Sequence, residues 1–303
     1  MATPIENRDY SSQRLPRGLE APLVVIVGPT ASGKSALAMK LATMFHGEII
    51  CADSRTVYKN MDIGTTKPSL EDQAAVPHWG LDLVDPGKVF TAADFKEYAL
   101  LKTQQVRERG NVPFIVGGSG LYVDGVIFDY EFGKPQPELR KQLEALSIDE
   151  LKSYCSNNNV AIPQNENNRR YVIRAIEQKG INNKGLRSPI DNIILVGITT
   201  DRTELRRRIE SRSKQLFEDG MLEEAVEIGK TYGWDSEAMT GNIYKLARQY
   251  VAGELTLERL RQDSITADWR LAKRQLTWLR RNPYIKWLSL EDAHEYISSA
   301  LKS

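Results

Sequence analysis

The chain has 303 residues, 41% hydrophobic and 27% charged, with 41 basic against 40 acidic side chains and a net charge of +1. This is the make-up of an ordinary folded protein with a sizeable core, and it excludes a disordered chain, a collagen and a coiled-coil rod. The longest apolar runs, LVVIV at 23–27 and IILV at 193–196, fall far short of the roughly 20 residues a membrane helix needs.

Residues 1–20 are polar, lack the apolar stretch of a secretory signal and read as a flexible tail. LVVIVG (23–28) reads as a buried strand and Ser35–Phe45 as the helix after it, with Gly47 just past its end. EIICA (48–52) is a second strand. Thr91 to Arg109 is a helix, opened by the capping pair Thr91 and Asp94 and closed by Gly110. VPFIV (112–116) is a third strand. Residues 138–180 are helical in pieces, with Ser147 and Glu150 as a second capping pair and Gly180 at the end; 181–191 is a loop. NIILVGIT (192–199) is a fourth strand.

The texture then turns charged and helical from 201 to 281. Asp201 with Glu204 opens one helix, and Thr256 precedes a long one that reaches Arg281 and is stopped by Pro283. YIKWLSL (284–290) reads as a fifth strand and 291–302 as a closing helix. The alternation predicts an α/β fold, a parallel sheet with helices on both faces. The predicted organisation is a core over 21–199, an inserted all-helical domain over 200–281 and a return to the core over 282–303.

Near-zero net charge leaves nucleic-acid binding to local clusters. Two cysteines, Cys51 and Cys155, form no CxxC pair and fit a reducing, cytoplasmic setting. His46, His78 and His294 are not spaced as a metal pair.

The strongest motif is Gly28-Pro29-Thr30-Ala31-Ser32-Gly33-Lys34-Ser35, a full match to G-x-x-x-x-G-K-[ST] between a strand and a helix. Gly28 and Gly33 permit the backbone angles that turn the loop amides inward. Those amides and the helix N-terminus cradle phosphate oxygens, Lys34 adds positive charge, and the Ser35 hydroxyl can ligate magnesium. The motif alone does not identify the phosphate compound. Asp53 lies at the carboxyl end of the second strand, where open α/β sheets place their crevice. It can serve there as a metal ligand, a base or a helix cap. GGSGLY (117–122) faces the same crevice from the third strand. Arg212, read alone, is a solvated helix charge.

GPTASGKS, DSRTVYKNMDIGTTKP (53–68), PHWGLDLVDP (77–86), FTAADFKEYA (90–99), VPFIVGGSGLY (112–122), NRRYVIRAIE (168–177) and LAKRQLTWLRR (271–281) follow one another in a recognisable order. Together they resemble the tRNA dimethylallyltransferase family, also called tRNA isopentenyltransferases, over about residues 23–288. The likeness is to the bacterial type, without a zinc-finger extension. It implies a nucleoside-kinase-like P-loop core and a cytoplasmic, Mg²⁺-dependent prenyltransferase. Such an enzyme transfers the dimethylallyl group of dimethylallyl diphosphate to the exocyclic amine of the adenosine 3′ of the anticodon.

By the same resemblance, the phosphate loop holds diphosphate rather than ATP. Asp53 takes the amine proton, Thr30 touches the diphosphate and Arg212 clamps it. Contacts to tRNA are implied for Asp53, Ser54, Arg55, Thr56, Ser119, Arg170, Tyr171, Val172, Ile173, Arg174, Lys273 and Arg274. The partners are the tRNA anticodon stem-loop and dimethylallyl diphosphate, with no membrane, and a monomer suffices.

A base inside an anticodon loop must be extruded before it can react, which calls for backbone contacts and stacking surfaces. Residues 269–287 offer Arg270, Lys273, Arg274, Arg280, Arg281 and Lys286 interleaved with Trp269, Trp278, Tyr284 and Trp287. The tryptophans serve equally well as core residues. Arg169, Arg170 and Arg174 form a second basic cluster.

Three departures stand out. Ile243-Tyr244-Lys245-Leu246 replaces the common Gly-Tyr-Lys/Arg-Glu, Ser119 replaces a threonine, and Tyr171 replaces an arginine. Two other readings share the phosphate loop, a small-molecule kinase and a non-catalytic RNA-binding protein.

Overall fold

The computed structural model describes residues 21–133, 136–178 and 185–303. The tail over 1–20, the helix end at Gly180 and the loop start at 181–184 lie outside them.

β1 (Leu23–Val27) leads through the phosphate loop into α1 (Lys34–Met44), and β2 (Gly47–Ala52) follows. α2 (Leu70–Ala75), β3 (His78–Trp79), α3 (Ala92–Glu108), β4 (Val112–Gly117) and α4 (Gly120–Ile127) come next. Three helices, α5 (Pro137–Glu144), α6 (Ile148–Asn157) and α7 (Arg169–Glu177), precede β5 (Ile193–Ile198). Then come α8 (Arg202–Glu218), α9 (Met221–Tyr232), a 3₁₀ turn at Glu237–Thr240, α10 (Asn242–Val251) and α11 (Leu257–Leu279). β6 (Lys286–Leu288) and α12 (Leu290–Lys302) close the chain. No helix among the described residues is long and apolar enough to cross a membrane.

The six strands form one sheet in the order β3-β2-β4-β1-β5-β6, and every pairing is parallel. Continuous apolar runs make the central strands, because a parallel sheet is covered on both faces. β1, β2 and β4 are buried along their whole length. The capping pairs act as predicted. The side chains of Thr91 and Ser147 accept from the third-residue amides of α3 and α6, and Asp201 and Thr256 accept from amides opening α8 and α11. β3 escaped the sequence reading, since two residues are too few to show a period.

The division of the chain differs from the expected one. Phe128–Arg187 forms a compact unit of its own, while residues 200–281 belong with the sheet. The cause is where apolar side chains are shared. Leu205 and Ile209 of α8 and Ala272 of α11 bury against each other with Ala31 of the phosphate loop beside them. Met221 and Ala225 of α9 and Tyr244 and Ala247 of α10 cluster with Val57, Tyr58 and Met61, which follow β2. The helical segment therefore has no core separate from the site loops. The smaller unit does, built from Leu143, Leu151, Cys155, Val172, Ile173 and Ile176.

One carboxylate ties the segment after β2 to the helical layer. Glu224 of α9 accepts from the amides of Asp62 and Ile63 at 2.7 Å each and of Gly64 at 2.9 Å. The Tyr244 hydroxyl donates to it at 2.7 Å. A Cβ on Gly64 would lie 2.6 Å from that hydroxyl oxygen, so glycine is required for the ring to close over the turn. Tyr244, in the stretch that departs from the family pattern, is thus a buried anchor. Glu224→Ala is expected to cost about 2 kcal/mol by stranding these donors, read as a lower denaturation midpoint in urea at unchanged slope.

Candidate active site

Three neighbouring strands deliver the site. β2, β4 and β1 lie side by side, with Ala52 opposite Gly117 and Val27 opposite Gly117. Their carboxyl ends therefore release Asp53, Ser119 and the phosphate loop at one place. The approach is close: a Cβ on Gly117 would stand 2.0 Å from the Ala52 carbonyl oxygen. Ser119 binds both neighbours, its amide donating to the Ala52 carbonyl at 3.3 Å and its hydroxyl accepting from the Ser54 amide at 3.1 Å.

The two glycines of the phosphate loop do different jobs, a correction to the expectation that both supply backbone freedom. Gly33 has a left-handed φ of 90° and leads α1 with no side-chain cap, leaving its first amides open. Gly28 is needed for space, since a Cβ there would lie 2.8 Å from Ser32 Oγ. The second left-handed residue is Ala31, with φ 62°. Lys34 Nζ donates to the Pro29 carbonyl at 3.2 Å. Burial pulls its ammonium down to about 8; Asp53 opposes the shift and Arg212 adds to it.

Arg212 is no surface charge. Its guanidinium donates from Nη1 to Thr30 Oγ1 and from Nη2 to Asp268 Oδ2 at 2.5 Å. Its Nε and the Ser32 hydroxyl are buried without a hydrogen-bond partner. Two stranded donors at one loop are a cost that an oxyanion would remove. Ser35 is exposed at the start of α1. Among the described residues no three His, Cys, Asp or Glu side chains gather to hold a metal. Ser35 is the loop residue whose hydroxyl would hold a magnesium ion, which would supply positive charge beside a bound phosphate.

Asp53 is oriented by its own turn, with Oδ1 accepting from the Arg55 amide at 2.8 Å. Its other carboxylate oxygen has no partner among the described residues. A cavity of about 370 Å³ opens beside it, lined by Ser54, Ser119, Tyr122, Arg274, Gln275 and Trp278 among others. A second, of about 540 Å³, reaches Arg212 past Ile63, Lys67, Leu70 and Leu216. Arg55 lines the first cavity and donates to the Glu237 carbonyl at 2.9 Å.

α11 forms a wall of the site. Gln275 accepts from the Thr30 amide at 2.8 Å, and Trp278 Nε1 donates to the buried Asp124 at 2.6 Å. Cβ atoms on Gly118 and Gly120 would meet those two side chains at 2.3 and 2.1 Å. Trp269 packs beside the α8–α11 cluster, Trp278 lines the first cavity with its indole tied to Asp124, and Lys273 and Arg274 are exposed.

The other expected contacts divide by exposure. The Thr56 side chain is buried. In the smaller unit, Val172 and Ile173 face its core, while Arg170 and Tyr171 are exposed on α7 and Arg174 pairs with Glu177 at 3.6 Å. Helical periodicity within 170–174 already separates these two faces. Gln275 was within reach of the sequence as the next residue after Lys273-Arg274. Asp268 carried no local signal.

A family profile described as IPP transferase matches residues 56–282. A tRNA dimethylallyltransferase of Bacillus velezensis is 36% identical over 289 residues, covering 89% of this chain and 91% of its own length. One from Acetivibrio thermocellus is 37% identical over 302 residues, covering 92% and 96%. The crystal structure of a tRNA isopentenylpyrophosphate transferase from Bacillus halodurans superposes with a TM-score of 0.72 at 34% identity, covering 94% of this chain and 97% of that one.

Proposed function

The chain belongs to the IPP transferase family, and we propose that it moves the dimethylallyl group of dimethylallyl diphosphate onto the exocyclic amine of the adenosine 3′ of the anticodon in tRNA. The observation that carries this reading is the meeting of a phosphate cradle, a clamp and a base. Lys34, Arg212 and Thr30 converge on one loop, and Asp53 stands close enough to Lys34 to shift its ionisation.

The chemistry follows from that placement. The allylic C–O bond breaks and its electron pair leaves on diphosphate. The adenine amine supplies the pair for the new C–N bond, and its proton passes to Asp53. Charge grows on the leaving group, so fixed donors aimed at it lower the barrier. Those donors are the loop amides, Lys34, Arg212 and Ser32. Magnesium, when bound, neutralises part of the same charge, with Ser35 to hold it. An aromatic amine is a poor nucleophile, and a carboxylate with one oxygen unpartnered is suited to take its proton as the bond forms.

The cavity beside Asp53 is of a size for an extruded base. Its rim carries Arg274, with Lys273 exposed beside it on α11 for the RNA backbone. The cavity that reaches Arg212 gives the donor its own approach, with Ile63, Leu70 and Leu216 as apolar surface for the prenyl chain.

The test is transfer of label from dimethylallyl diphosphate into unmodified tRNA with Mg²⁺ and without ATP. Incorporation at one adenosine beside the anticodon is expected; ATP-dependent turnover of a nucleotide instead would favour the kinase. Asp53→Ala is expected to lower kcat by about 10²–10⁴ while tRNA affinity holds. Equal loss of binding and rate would remove Asp53 from the base role.

Lys34 predicts a pH dependence. Diphosphate favours the charged ammonium. Below about pH 8 the free enzyme already carries that charge, and above it binding must first take up a proton. Donor KM is therefore expected to rise as pH climbs past 8, approaching about tenfold per unit. Lys34→Arg, which stays charged, is expected to abolish that rise.

A further inference from the structure

Among the described residues Asp268 has one polar partner, Arg212. Its side chain is 13% exposed, on the face of α11 that also carries the buried Ala272 and, one turn on, Gln275. That face lies along the phosphate loop, since Ala272 packs with Ala31 beside it and Gln275 binds the Thr30 amide. A carboxylate is therefore built into the wall of a cleft otherwise furnished to bind anions.

We propose that Asp268 is a positioning residue that, as the counter-charge of Arg212, holds the guanidinium against the phosphate loop and loosens its grip on diphosphate. The inference rests on the reading of this loop as a diphosphate site. Lys34 and Arg212 are two cations converging on one loop, and without ligand they repel. Asp53 and Asp268 bring the group of four to formal neutrality, so Arg212 stays in place before the donor arrives.

The same carboxylate acts after the donor is bound. A guanidinium has five N–H donors in a fixed fork. Arg212 spends one on Asp268 and one on Thr30, and its Nε remains buried and unpartnered. An oxyanion can take Nε without displacing Asp268. The carboxylate thus remains near the bound diphosphate and repels it, which keeps the released product from blocking the site.

The probe is inorganic pyrophosphate, titrated with Mg²⁺ as a competitor of dimethylallyl diphosphate on the full chain. Asp268→Asn keeps the shape and the acceptor oxygen but removes the charge. The inhibition constant is expected to fall about tenfold, with a steeper dependence on salt and a lower donor KM. A carboxylate that only supported packing would give the opposite, weaker inhibition together with a lower melting temperature. Unchanged or weaker inhibition overturns the proposal. Asp268→Gln gives a second neutral side chain that keeps an acceptor oxygen should the asparagine fold poorly, and a fall in the same direction is expected. If pyrophosphate does not inhibit the unaltered protein, the diphosphate reading itself fails, and this inference with it.

Discussion

Two cations must share one loop. Lys34 is buried enough to hold its proton weakly, and Arg212 presses on the same turn from another element. Two like charges at one turn repel unless an anion lies between them, and much of the surrounding architecture answers that tension. The sheet brings Asp53 alongside through the pairing of β2 with β4 and β4 with β1. The helical layer supplies Asp268 and Gln275 from α11. An electrostatically costly arrangement persists because the contacts around it leave no alternative, which is how polar sites are held ready for charge that appears only during reaction.

α11 is the element that joins the phosphate loop to an exposed basic face. Its inner face touches the phosphate loop through Ala272 and Gln275, and its outer face exposes Lys273 and Arg274. Trp278, hydrogen-bonded to Asp124 and seated over Gly120, fixes the rotation of the helix between these roles. The exposed cations and the contacts to the phosphate loop are therefore carried by one helix.

Much of this was legible in the chain because it is local. The phosphate loop, the capping residues Thr91, Ser147, Asp201 and Thr256, and the apolar runs of β1, β2, β4 and β5 each announce themselves within a few residues. What stayed hidden is long-range. Arg212 looked solvated because its partner Asp268 is 56 positions away. The charged texture of 200–281 suggested an independent domain, but the buried stripe of those helices is completed by Val57, Tyr58 and Ala31. Composition reports which face meets water and is silent on whose core the other face joins.

The turn at Asp62–Gly64 offers three converging amides, and Glu224 occupies them all. Such a concave run of backbone donors is, in its bare form, a receptor for anions. The protein thus contains the same backbone device twice, once stoppered by its own side chain and once left open at the phosphate loop. A polyanion as large as tRNA, arriving with its phosphates in excess of any donor, finds the decoy already filled. Glu224 thereby withdraws from competition a second concave run of amides that the fold would otherwise present to any anion.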